Sequence, residues 1–354
     1  MTNTASPAIL NSVIRLQKLV GPVTGGVPAG TPFFVTEGDD MPKPFMTYDQ
    51  QLQKMRDKHL IISDEDGAKD TLRRIGYFSL VSGYKDLFKN PTTRDYRDGT
   101  TFQDIVALYQ FDESLRELTL RHLLHVEQHL RSALSFAFCD KFGDSQKAYT
   151  DSNNYDIGKP KNKAEIQRLI NKYLLPLLTL KTDHPYIEHH KRAHQNVPLW
   201  VLVNALTFGT LSKMYSLSKP QIQSAISQEF AAINEKQLGQ ILKVLTAFRN
   251  VCAHGERLFS YRCARHEIPD LPLHKKLTIP RKGSQYICGK RDYFSVVLSF
   301  RYLLPNDEFL AYKGHLSQLL ARAIKRNQQI SEAELLEIMG LPSNWKRITT
   351  YKKA

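Results

Sequence analysis

The chain has 354 residues, enough for one large helical domain with extensions or two modest ones, and its 42% hydrophobic and 24% charged residues are those of a folding globular protein. A formal net charge of +14 makes polyanions the favoured partners, nucleic acid ahead of an anionic membrane. The longest apolar runs, from Tyr173 to Leu180 and from Tyr293 to Leu304, are interrupted by Pro176 and Arg301, and neither reaches the roughly 20 residues of a membrane span.

In chain order, Met1 to Val20 lacks a basic segment followed by a long apolar run, so no signal peptide is expected. Residues 1–45 carry the run Gly21-Pro-Val-Thr-Gly-Gly-Val-Pro-Ala-Gly-Thr-Pro32 and read as a flexible lead-in. Helix starts follow at Thr47 with Gln50 and at Ser63 with Asp66. The longest helical region begins at Thr101 with Asp104 and runs to about Cys139 with a bend or break. Its second half carries Leu120, Leu123, Leu124, Leu130 and Leu134 on one side. Residues 140–198 read as irregular apart from a helix over Ala164 to Leu175. An apolar helix after Trp200 is expected to stop at Gly209, and Ser218 with Gln221 opens the next. Asn234 with Gln237 then caps a helix with Leu238, Ile241, Leu245, Phe248 and Cys252 on one face, ending at Gly255. Basic loops and a helical tail complete the chain. The expected partition is a lead-in over 1–45, a helical domain over 46–260 and a basic extension over 261–354.

The sharpest local feature is Arg249-Asn250-Val251-Cys252-Ala253-His254. On a continuous helix the five-residue spacing puts Arg249 and His254 about 140° apart, so they pair only if the helix ends near His254 or if two copies meet. R-x-x-x-x-H alone is a weak pattern. Histidine exchanges a proton near neutral pH, and a guanidinium suits the charge of a phosphorane. The four cysteines, Cys139, Cys252, Cys263 and Cys288, form no C-x-x-C pair, which fits a reduced cytoplasmic setting.

Six blocks carry a wider resemblance: Ile75-Gly-Tyr-Phe-Ser-Leu-Val-Ser-Gly-Tyr84, Leu108-Tyr-Gln-Phe-Asp-Glu-Ser-Leu-Arg116, Val126-Glu-Gln-His-Leu-Arg131, Pro198-Leu-Trp200, Leu206-Thr-Phe-Gly-Thr-Leu-Ser212 and Phe248-Arg-Asn-Val-Cys-Ala-His-Gly-Glu-Arg-Leu258. Together, in order from about Tyr48 to Leu258, they resemble the Abi-like abortive-infection proteins of the AbiD and AbiF group, which are similar to HEPN ribonucleases. Asn204 departs from the pattern, standing where an acidic residue is expected. The resemblance implies an all-α, HEPN-like domain, a homodimer whose active site forms where two R-x-x-x-x-H helices meet, and metal-independent cleavage of RNA in phage defence or in a toxin–antitoxin pair. Arg249 and His254 would then be catalytic, and Asn250 would orient the histidine or a phosphate oxygen or simply cap the helix. A structured small RNA is the antitoxin implied for the AbiF-like branch. No cofactor, metal or membrane partner is expected.

Glu127 lies inside a leucine stripe, four residues before Arg131. The pair reads either as an internal ion pair that fixes helix register or as a brace for Arg249. His122, His125 and His129 share a helical face, and His184, His189, His190 and His194 crowd a polar segment. Both groups read as solvated or RNA-facing ahead of metal-binding. Beyond the motif, Arg257, Arg262, Arg265, Lys275, Lys276, Arg281, Lys282, Lys290 and Arg291 are interleaved with Tyr261, Tyr286 and Tyr293 and are candidate RNA contacts. The alternatives are a non-catalytic RNA-binding protein, in which Arg249 and His254 grip phosphate, and a helical protein-interaction module.

Overall fold

A computed structural model of the protein describes residues 44–352 except Ala231 and Gln328, so the lead-in lies outside the described residues up to residue 43. Helices dominate, as expected, and the only sheet among the described residues is a hairpin of Arg281–Lys282 (β1) and Gln285–Tyr286 (β2).

Helix starts follow local chemistry. Tyr48–Arg56 (α1) opens on the expected capping box, in which Thr47 and Gln50 each accept the other's backbone N–H. Glu65–Ile75 (α2) is capped by Asp64 rather than Ser63. The Asp64 carboxylate accepts from Gly67 N–H at 2.9 Å, where a negative acceptor also meets the positive end of the helix. Phe102–Phe142 (α3) starts at the expected Thr101 and Asp104 exchange. Its 41 residues, about 60 Å at 1.5 Å each, show no break. The segment contains neither Pro nor Gly, and the helix stops only at Gly143, whose φ is +82°.

The chain forms two compact units. One comprises 127–229 and 234–246. The helix expected over Ala164 to Leu175 is present as Pro160–Leu169 (α5) with the π-helical turn Ile170–Leu174, but the rest of the stretch expected to be irregular also carries short helices, Gln146–Thr150 (α4), Leu175–Thr179 (α6) and Pro185–His194 (α7), followed by Leu199–Leu202 (α8), Phe208–Leu217 (α9) and Pro220–Gln228 (α10). Prolines sit in the first turns of α5, α7 and α10, where no N–H is needed, whereas Pro176 belongs to α6, which directly follows the π-helical turn Ile170–Leu174. Gly209 does not end a helix. It lies in the first turn of α9, which is capped by Thr207, at a place where a Cβ would come within 3.3 Å of Thr246 Cγ2. Ser218 does not cap α10 either, because its hydroxyl donates back to Met214 O at 2.8 Å. Glu235–Ala253 (α11) opens as expected on reciprocal bonds between Asn234 and Gln237.

The other unit comprises 44–126, Phe230–Ile233 and 247–352. It contains Pro272–Lys276 (α12), Tyr293–Leu303 (α13), Asn306–Arg326 (α14) and Glu332–Met339 (α15). Every residue of α13 is buried, as expected for a helix apolar on nearly all sides. Its Tyr293 hydroxyl is 2.9 Å from Thr119 Oγ1 on α3 and 2.8 Å from the Tyr312 hydroxyl on α14. The basic extension is therefore built into this unit. Arg97 pairs with Glu334 at 3.2 Å, and Asn327 donates to Asp104 O at 3.1 Å.

Candidate active site

The C-terminus of α11 decides how the R-x-x-x-x-H residues are presented. His254 N–H donates to Asn250 O at 2.9 Å, Gly255 N–H to Cys252 O, and Glu256 N–H to Val251 O at 3.0 Å, with Gly255 at φ +69°. This is a Schellman closure, with His254 as the half-helical last residue. The cap is made of backbone groups, and the Asn250 amide takes no part in it. Asn250 and His254 are exposed, Arg249 is 9% exposed, and Cys252 is buried. Burial pushes the Cys252 thiol well above its ordinary value, so it is no nucleophile. Because the screw persists to His254, Arg249 and His254 leave the helix about 140° apart within one copy.

The segment after His254 is fixed by a carboxylate that the motif does not contain. Asp112 is fully buried. It accepts from Phe259 N–H at 2.7 Å, from Leu258 N–H at 3.0 Å, from the Tyr84 hydroxyl at 2.7 Å and from Arg116 Nη1 at 2.7 Å. Arg116 reaches on to Glu256 O at 3.3 Å, and Arg257 donates to Gly83 O. Burial pushes the Asp112 carboxyl upward, and the Arg116 guanidinium, the two amides and the Tyr84 hydroxyl oppose it. Three of the six sequence blocks thus meet here, those containing Tyr84, Asp112 with Arg116, and the motif itself.

The other blocks serve the first unit. Arg131 pairs with Glu127 and donates to Leu206 O at 3.0 Å, with Glu127 1% exposed. This is an internal ion pair, and Arg131 joins the Val126 block to the Leu206 block. Tyr149 donates to Val197 O at 2.6 Å, beside the Pro198 block. Asn204 turns its amide to Trp200 O at 2.8 Å, on its own helical turn.

A family model described as "Abi-like protein" matches residues 70–260, more than half of the chain. The chain belongs to the Abi-like protein family. No curated protein and no solved structure matches. Membership in the Abi-like family suggests a role in abortive infection, a form of phage defence. The match starts at residue 70 rather than near Tyr48, so α1 lies outside it.

Several of the basic residues beyond the motif of this Abi-like protein are neutralised internally. Arg262 pairs with Asp292 at 3.1 Å, Arg281 and Lys290 share Asp270 at 3.3 and 2.6 Å, and Arg291 holds Glu267 at 3.0 Å. Lys276 donates to Lys352 O. Arg265, Lys275 and Lys282 are exposed and form no ion pair among the described residues. The histidines separate as well. Burial holds the His122 imidazole below its ordinary value against the opposing bond to Leu118 O, His125 lies 2.8 Å from Glu308, and His129 lies 3.9 Å from Glu229. His189, His190 and His194 contact one another on α7. Among the described residues, no group of three or more His, Cys, Asp or Glu is placed to hold a metal ion, and no helix is long and apolar enough to cross a membrane.

Proposed function

We propose that this protein is an endoribonuclease of HEPN type, acting as the toxin in abortive infection or in a toxin–antitoxin pair and restrained by a structured small RNA. The observation that supports this most is the end of α11, an exposed His254 on the last half-turn, followed by a strand of chain that Asp112 holds still. A proton-transfer group at a fixed terminus is positioned for catalysis in a way that a fraying end is not.

His254 takes the proton of the 2′-hydroxyl, the 2′-oxygen attacks phosphorus, and the 5′-oxygen leaves with a returned proton. The products are a 2′,3′-cyclic phosphate and a 5′-hydroxyl. Arg249 stabilises the phosphorane charge. The angular offset within one copy favours a site completed by a second copy of α11, so the active species is a homodimer. Asn250, exposed between the two residues, orients the imidazole or a phosphate oxygen.

The two side chains supply proton transfer and charge stabilisation themselves. We therefore expect cleavage of single-stranded RNA to continue in EDTA, giving the end groups just named. Activity lost in EDTA and restored by a divalent ion, or products with 3′-hydroxyl ends, would overturn this mechanism.

A further inference from the structure

We propose that a cavity at the end of α1 is a second anion site, built for a terminal phosphate or a polyphosphate group. Its lining is Lys54, Met55, Lys58, Tyr77, Lys85, Lys89 and Tyr96, so four ammonium groups and two phenols surround one space with no carboxylate in its wall. The walls are tied together by the backbone. Tyr96 N–H donates to Lys58 O at 2.9 Å, Arg97 N–H donates to Phe88 O at 2.8 Å, and Lys89 and Tyr96 form an antiparallel bridge.

An ordinary structural role covers half of this arrangement. Lys54 and Lys58 lie in and just after the last turn of α1, where cations offset the helix dipole. Lys85 and Lys89 arrive from another segment and add positive charge to the same space, with Lys89 Nζ 5.2 Å from the centroid of the Tyr96 ring. Lys89 shows the cost. Burial, followed by the charges of Lys58 and Lys85, lowers its ammonium to about 8, with Asp86 in opposition. A bound anion would reverse this. The Tyr77 and Tyr96 hydroxyls make no hydrogen bond among the described residues, and burial keeps both phenols protonated as donors.

The compactness of the cluster selects the ligand. Phosphodiesters carry one charge each, strung along a strand, whereas a terminal phosphate or pyrophosphate concentrates its charge at one point, as the four lysines do. The source is either a free nucleotide or the phosphorylated 5′ end of an RNA. Lys54 and Lys58 precede residue 70 and so lie outside the family match. The site does not depend on the cleavage mechanism.

Calorimetric titration of the full chain tests this site, with inorganic pyrophosphate, ATP, and a 2′-O-methyl oligonucleotide carrying either a 5′-triphosphate or a 5′-hydroxyl. We expect pyrophosphate to bind, and Lys58→Gln with Lys89→Gln to weaken it about tenfold or more. Lys54→Gln, at an exposed position that tolerates the change, should weaken it by about threefold and decides the matter if the double variant does not fold. Triphosphate-dependent affinity for the oligonucleotide identifies an RNA end, and binding of ATP without it identifies a nucleotide. No pyrophosphate binding, equal binding by wild type and variants, or an equal loss with the 5′-hydroxyl strand would overturn the site.

Discussion

His254 is the one imidazole of the motif and is exposed, and Arg249 is the motif's one permanent cation. His254→Ala should therefore reduce RNA cleavage by roughly 10²- to 10⁴-fold with an unchanged melting curve, because little packing is lost at an exposed position. Arg249 is 9% exposed, so Arg249→Ala would mix chemistry with stability. Arg249→Lys is the cleaner probe, since it keeps the charge and most of the stem but loses the planar fork, and it should lower turnover with the fold intact. A folded His254→Ala protein cutting RNA at the wild-type rate would move the phosphate-gripping alternative to first place. Both residues were legible in the sequence because their spacing is local and a resemblance gave it weight. Asp112 lay inside a quoted block without a role. Its donors at Leu258 and Phe259 are 146 and 147 residues away, and no local spacing reports such a contact. Positive charge beyond the motif was likewise legible, but its internal pairing with Asp270, Glu267 and Asp292 was not.

Helix starts were readable at Thr47, Thr101 and Asn234, where side chain and backbone exchange bonds within four residues. They were misread where a stronger neighbour competed, as Asp64 does with Ser63. Glycine shows the same dependence on surroundings. Gly255 and Gly340 both end helices, at φ +69° and +72°, but a Cβ at Gly255 meets nothing within 4 Å while one at Gly340 would lie 2.3 Å from Asp292 Cγ. Gly255→Ala should cost about 1–2 kcal/mol, the price of a left-handed alanine. Gly340→Ala should cost clearly more, because Asp292 must also shift, and denaturant unfolding of the two variants compares them. Equal costs would show that the corner relaxes freely. Asp292 at this corner, 2% exposed, accepts from Gly289 N–H at 3.0 Å and pairs with Arg262, yet burial raises its carboxyl from 3.8 to about 6. A raised folded value means that the native state holds the proton more tightly than the unfolded chain does. Its contribution is complete below about 4 and is lost as pH rises through about 6, by up to about 3 kcal/mol. Asp292→Asn should remove this slope, and parallel slopes for variant and wild type between pH 4 and 6 would assign the titration to another group.

At the scale of the whole molecule, the net charge of +14 attracts polyanions at long range, but affinity for a nucleic acid at contact would depend on which cations are free to release counterions from phosphates. Arg262, Arg281, Lys290 and Arg291 are each held by an acidic partner in the same unit, so a phosphate must compete for them. Arg265, Lys275 and Lys282 are exposed and meet no such competition. We expect RNA affinity to fall steeply with salt. Changing Arg265, Lys275 and Lys282 to Gln together should flatten the log–log slope by up to about 2, at about 0.7 for each single-strand contact removed. Changing the four paired residues instead should alter the slope less and the melting temperature more, because each substitution strands a carboxylate in Asp270, Glu267 or Asp292, and Asp292 is buried. Binding measured across a salt series, with melting curves for both sets, separates the two classes of cation. If the exposed set leaves the slope untouched, this surface serves solubility, and the contacts with RNA lie elsewhere on the molecule.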